Sequence, residues 1–187
     1  MQLIGARPGI PISAAALLGE IGLDVPDADH VSTMTAHIRS ATDMVETAAA
    51  RPIGQRDVAF IVERCQWSCW WFPVVSVQAV TKVETTADWI TWDEVPGTGY
   101  AVANPAQEPR LIMIDPVGSD VKAVRVAATV GALVEEVDPV LLEAVKLVAK
   151  TFFERDLAIE GGETGDIPQA AWRLIRQKRY LRPREAF

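Results

Sequence analysis

The sequence predicts an α+β fold: a helical bundle drawn from the N- and C-terminal parts of the chain, with a central antiparallel β insertion. Two observations predict it. Apolar residues recur at helical spacing near both ends, whereas 57–131 is rich in β-branched residues and turn formers. No helix-length pattern falls between those central strands, so an antiparallel arrangement is favoured over βαβ units. With 187 residues, 49% of them hydrophobic and 23% charged, the chain has enough apolar material for a core without disulfide or metal staples.

The segment 1–12 carries one arginine and two prolines, and has no apolar run of signal-peptide length. A first short helix is expected from Ser13, a good N-cap, to Ile21, stopped by Gly22. Asp27 or Asp29 caps a second, long helix running to Ala50, with Met34, Ile38, Ala41, Val45 and Ala48 as one apolar stripe and Pro52 ending it. Strands follow at 58–63, 75–85, 111–114 and 121–130. Shorter pieces at 89–92 and 100–103 are expected to join the same sheet. Pro96, Gly97 and Gly99 mark one turn, and Asn104, Pro105 and Pro109 another.

The third helix, 138–156, has the clearest start: Asp138 is an N-cap and Pro139 occupies the first helical position, where a missing N–H costs least. Leu141, Val145, Val148 and Phe152 form its apolar line, which Leu142, Ala149 and Phe153 widen, so burial on more than one side is expected. The stretch 157–167, with Gly161, Gly162 and Gly165 and only acidic charge, reads as a mobile loop. Asp166 and Pro168 then restart a helix that runs into a basic arm to residue 187. The domain plan is thus a terminal segment 1–12, a core 13–167, and a C-terminal helix and arm 168–187.

Charge is distributed unevenly. The net charge is −7, yet Arg173, Arg176, Lys178, Arg179, Arg182 and Arg184 face a single acid, Glu185, after Trp172; the tail therefore carries +5 and the remainder −12. Such a body excludes a protein whose whole surface grips nucleic acid. The arm interleaves these cations with Trp172, Leu174, Ile175, Tyr180 and Leu181. It reads either as a solvated helix end or as a docking segment for an acidic or nucleic-acid partner.

Chemistry is sparse. His30, His37, Cys65 and Cys69 could be assembled into a zinc site only on paper, because the cysteine spacing is not a tight knuckle and the histidines lie far upstream. Nothing orients a Cys–His nucleophile, and the glycines of 161–165 do not follow a strand or precede Lys-Ser/Thr as a phosphate loop requires. No catalytic, metal or cofactor-binding residue is expected. The apolar helix 140–153 is too short and too interrupted by charge to span a bilayer, so no membrane partner is expected either, and the default is a soluble protein in a reducing cytoplasm. Trp67, Trp70, Trp71, Phe72, Trp89 and Trp92 form a cluster with three readings: the core of a β-layer, interface anchors, or a base-stacking platform.

Taken in order, these elements resemble the head–tail connector (adaptor) family of tailed phages, in the variant found in gene transfer agents. The matching pieces are the helix ending HIRSATDMVETAAARPI; the strand Phe72-Pro73-Val74-Val75-Ser76-Val77; a Trp- and Tyr-containing meander; the Arg-Leu-Ile strand after Pro109; Val124 to Gly131; the helix from Pro139 through Phe153-Glu154-Arg155; and a last helix with Arg and Tyr. The resemblance covers 13–182.

It implies a non-enzymatic subunit of a homo-oligomeric ring, commonly a dodecamer, beneath the portal protein of a virion or phage-like particle assembled in the bacterial cytoplasm. The ring extends the DNA channel, passes double-stranded DNA without sequence-specific binding, and offers a docking surface to a stopper or tail-completion protein. On that reading Trp172, Arg173, Arg176, Lys178, Arg179, Tyr180, Arg182 and Arg184 would bind the portal. Glu160, Glu163 and Asp166 would line the channel or its rim, and Leu141, Val145, Val148, Phe152 and Phe153 would form the ring interface. Another virion or tail-completion protein, or a small cytosolic enzyme, are the alternatives.

Overall fold

Cap residues set the boundaries of the helices. In the computed structural model, which describes residues 2–5, 8–9, 11–63, 68–104, 106–114, 118–157 and 167–183, the side chain of Ser13 accepts from the Ala16 N–H and opens α1 (Ala14–Glu20). Asp27 accepts from the His30 N–H at 2.8 Å and opens α2 (Ala28–Ala49). Asp138 accepts from the Val140 N–H at 2.9 Å and opens α3 (Pro139–Leu157). A fourth helix, α4 (Gln169–Lys178), starts at Pro168 with no side-chain cap. The chain divides into two compact units, one of Gly9–Ile53 and Val134–Arg179, the other of Met1–Pro8, Gly54–Leu133 and Tyr180–Phe187.

The first unit holds the four helices. Leu17 and Leu18 of α1, Met34, Ile38, Ala41, Val45 and Ala49 of α2, Leu141, Val145, Val148 and Phe153 of α3, and Ala171 and Ile175 of α4 are all buried. The stripe expected on α2 holds as far as Val45. It then continues to Ala49, one residue past the expected Ala48, because the last step is four residues and not three. The same face buries Glu46, whose carboxylate accepts the Ile53 N–H at 2.7 Å and so ties down the chain just beyond the helix. Ala50 ends α2 in the left-handed region at φ 52°, and the Arg51 guanidinium donates to the Lys178 carbonyl. Lys150 reaches Glu20 at 2.6 Å and Lys178 reaches Asp138 at 2.7 Å.

The second unit is built of antiparallel strands: β1 (Gln2–Leu3), β2 (Arg56–Glu63), β3 (Cys69–Trp71), β4 (Val77–Thr86), β5 (Asp93–Glu94), β6 (Tyr100–Ala103), β7 (Arg110–Met113) and β8 (Ala123–Val130). They form a five-stranded sheet in the order β1-β2-β8-β4-β5 and a three-stranded sheet in the order β3-β7-β6. One apolar core joins the two sheets. Val58, Phe60, Val83, Val124, Val126 and Val130 come from the larger sheet, and Trp70, Leu111 and Met113 from the smaller, with the rings of Phe60, Trp70 and Phe72 all in mutual contact.

The α+β class and the antiparallel middle are as expected; the single sheet is not. The segments at 100–103 and 110–113 pair with each other, and 110–113 pairs on its other side with Cys69–Trp71, away from the larger sheet. The piece expected at 89–92 is no strand. Thr86 and Asp88 capture its backbone N–H groups with their side chains, and Trp89 sits at φ 71°, outside the extended region. The N-terminal segment, expected to stand apart, contributes β1, with Gln2 opposite Ala59 and Leu3 opposite Val58. Among the described residues, no helix is long and apolar enough to cross a membrane.

Two backbone positions give opposite predictions. Gly131 has φ 92°, and a Cβ there would fall on the Gly54 carbonyl, where Gly54 and Ala132 form a bridge. Gly131→Ala is expected to destabilise the protein by about 2–4 kcal/mol, read as a lower denaturation midpoint. Ala50→Gly removes the penalty of an L-residue in left-handed backbone and is expected to raise stability by about 0.5–1 kcal/mol in the same measurement.

Candidate functional site

The candidate surfaces follow from which aromatic and charged groups each element leaves outside its core. On α4, Ala171 and Ile175 turn inward, while Trp172, Arg173 and Arg176 stay exposed. This separation of faces is sharp for a helix of ten residues. Lys178 is half-buried and held by Asp138. That carboxyl is pushed up by desolvation, but its bonds to Lys178 and to the Val140 N–H outweigh this and hold it below its ordinary value.

After Lys178 the chain becomes extended. Arg179 is exposed, Tyr180 is buried at 8% exposure, Leu181 projects to solvent, and the Arg182 guanidinium lies 5.9 Å from the centroid of the Trp70 ring. Burial raises the Tyr180 phenol above its usual value. Among the residues expected to bind a portal, Trp172, Arg173, Arg176, Arg179 and Arg182 are thus accessible. Lys178 is engaged within its unit, Tyr180 is buried, and Arg184 lies outside the described residues.

The five residues expected at a ring interface are placed differently from that expectation. Leu141, Val145, Val148 and Phe153 are interior side chains of the helical unit, because α2 and α4 pack on the face they form. Only Phe152 is half-buried, with its ring 6.1 Å from that of His37. The width of the α3 stripe therefore reflects burial between helices of the same chain. Glu160, Glu163 and Asp166, expected at a channel or rim, lie outside the described residues.

The tryptophan cluster separates into distinct roles. Trp70 and Phe72 are core, Trp67 lies outside the described residues, and Trp71 is half-buried with the Arg110 guanidinium 5.4 Å from its ring. Trp92 lies under the Arg125 guanidinium at 4.3 Å. Arg125 bonds through Nε to Glu84 at 2.6 Å, and Lys82 reaches the other oxygen of the same carboxylate at 2.8 Å. The hydrogen bond from Arg125 is the largest influence holding the Glu84 carboxyl below its ordinary range.

Trp89 is different, being 46% exposed beside Ile90 at 83%. The turn that carries them is heavily bonded. The Thr86 hydroxyl oxygen accepts from the Trp89 N–H at 2.9 Å, and Asp88 Oδ1 accepts from the N–H groups of Ile90 and Thr91, each at 2.8 Å. The Thr91 hydroxyl donates to Asp88 Oδ2 at 2.7 Å. These bonds, led by that of the Thr91 hydroxyl, hold the Asp88 carboxyl far below the usual carboxylate range. They also stabilise a bulky residue in left-handed backbone, a conformation costing about 1–3 kcal/mol on its own. Sequence reasoning had only the Thr86-x-Asp88 spacing to suggest this turn, and a β-rich reading of 89–92 concealed it.

Among the described residues, no group of three or more His, Cys, Asp or Glu side chains could hold a metal ion. His30 Nδ1 lies 2.8 Å from Asp27 and His37 Nε2 lies 2.8 Å from Asp156, so each imidazole faces a single carboxylate. Cys65, part of the paper zinc site, lies outside the described residues, and Cys69 is a half-buried free thiol.

No family model matches the sequence, and no curated protein matches it significantly. Solved structures do match. A chain from the neck of an empty GTA particle, computed with C6 symmetry, is 20% identical, with a TM-score of 0.77 over 99% of this chain and 97% of that one. A chain of the virion of a native gene transfer agent (GTA) particle is 18% identical, with a TM-score of 0.77 over the same shares of each chain. A chain from the neck of a native GTA particle, computed with C12 symmetry, is 20% identical, with a TM-score of 0.69 over 100% of this chain and 99% of that one. From end to end, this chain has the fold found in the neck and virion of gene transfer agent particles.

Proposed function

We propose that this chain is a structural subunit of the neck of a phage-like particle: a head–tail connector that forms a homo-oligomeric ring beneath the portal. The observation that carries this reading is the extent of the likeness to a neck chain, 99% of one chain against 97% of the other. Fold alone does not dictate function, but the surface chemistry agrees with the reading. The described residues converge on no metal-binding group, while the accessible features are a basic, Trp-bearing helix face and an apolar turn, both suited to protein contacts.

In this reading the exposed cations of α4 and the segment after it, with Trp172, meet the portal, whose binding surface would then be acidic. Acid on the rest of the chain, −12 once the tail is set apart, suits a channel through which DNA must slide. Like charge keeps phosphate from adhering, so double-stranded DNA would pass without sequence-specific contact. The opposite opening of the ring would receive a stopper or tail-completion protein. Arg173, Arg176 and Arg179 are the probes of choice, because Ala171, Ile175 and Tyr180 are core residues and truncation at 167 would open both units.

Arg173→Glu, Arg176→Glu and Arg179→Glu combined are expected to leave the thermal transition nearly unchanged. Incorporation into portal-bearing heads should fall by about tenfold or more at low salt, and the difference from wild type should narrow as salt screens the contact. Incorporation equal to wild type at low and high salt would remove the basic face from the portal contact. Complete absence of the wild-type chain from purified particles would end the neck assignment itself.

A further inference from the structure

We propose that Trp89 and Ile90 are a preorganised lateral anchor by which one copy of this chain holds the next copy in the ring. The inference rests on the neck-ring reading above and adds to it the contact between copies. Turns run over the surface and ordinarily carry small or polar side chains; this one holds two large apolar groups in solvent. Six hydrogen bonds among Thr86, Asp88, Trp89, Ile90 and Thr91 order the turn, and Trp92 at its foot is clamped under Arg125. Rotational freedom that an interface would otherwise have to remove is therefore already restricted in the free chain. Anchors of this kind, an aromatic beside an aliphatic side chain on rigid backbone, supply most of the affinity in protein contacts.

Three observations favour a second copy as the occupant. The turn joins β4 to β5, the outermost strand of the larger sheet, so it projects at a sheet edge. That edge is poorly suited to strand addition. β5 has two residues, and β4 has register shifts between Val77 and Ala79 and between Val80 and Lys82, so a neighbour would meet side chains rather than a straight ladder of backbone groups.

Charge points the same way. Copies carrying −7 each repel one another on net, a cost that an apolar centre offsets, and here the Asp88 carboxylate is already occupied by its own turn. The exposed acids Asp93 and Glu94 beside the turn oppose a nucleic-acid backbone as the partner. Finally, chains of this fold occur in necks computed with C6 and C12 symmetry. Rotational closure of such a ring uses a head-to-tail contact, in which one patch meets a different patch on the next copy.

The test places a photo-crosslinker at the tip, as Ile90→p-benzoylphenylalanine, in cells that make particles. Irradiation is expected to yield a product of twice the chain mass. Crosslinking only to a different particle protein, or to none, overturns the proposal. In parallel, Trp89→Ser with Ile90→Ser is expected to keep the melting transition of the isolated chain, since both side chains are exposed, and to lower incorporation at least about tenfold. Wild-type incorporation matched by full incorporation of the double-serine chain overturns the anchor alone. Failure of the wild-type chain to enter particles overturns the ring reading and the anchor with it.

Discussion

Every residue of β8 is paired on both sides, to β2 in unbroken register and to β4 with two shifts. From Val124 onward its side chains alternate. Val124, Val126, Ala128 and Val130 face the core, while Arg125, Ala127 and Thr129 face outward. A slip of one residue would exchange these sets and bring Arg125 into the interior. The register of the larger sheet, the position of the Arg125–Glu84 pair and the clamp on Trp92 therefore depend on this central strand. Its end is also guarded: Gly131, directly after Val130, donates to the Ser76 carbonyl at 2.9 Å and accepts from the Gln78 side chain at 2.8 Å.

Local signals made the helices legible. Ser13 and Asp138 cap where the sequence places them, and Asp27 is the one used of the two candidates for the second helix, because an N-cap is decided within a few residues. Strand content was also legible, but the partition into two sheets was not. Nothing near Arg110 in the sequence says that its strand lies between Cys69–Trp71 and Tyr100–Ala103, since a cross-strand partner is a choice made at long range.

Burial shows the same limit. A wide apolar stripe on α3 is equally consistent with a ring contact and with packing between helices of one chain, and only the structure decides for the latter at Leu141, Val145, Val148 and Phe153. Nothing in the sequence singles out Glu46. Its task, accepting the Ile53 N–H, arises only once the chain turns back on itself. The tryptophan cluster was visible as composition, but its division into core, stacked and projecting rings required coordinates.

Tyr180 is buried, although the chain around it is extended and its neighbours Arg179 and Leu181 are exposed. Burial disfavours the phenolate and raises the pKa of this ring above that of a free tyrosine. The phenol is therefore a built-in reporter of its own segment: in alkaline solution it keeps the absorbance of the neutral ring for as long as the stretch around residue 180 stays in place, and ionises like a free tyrosine once that stretch comes loose.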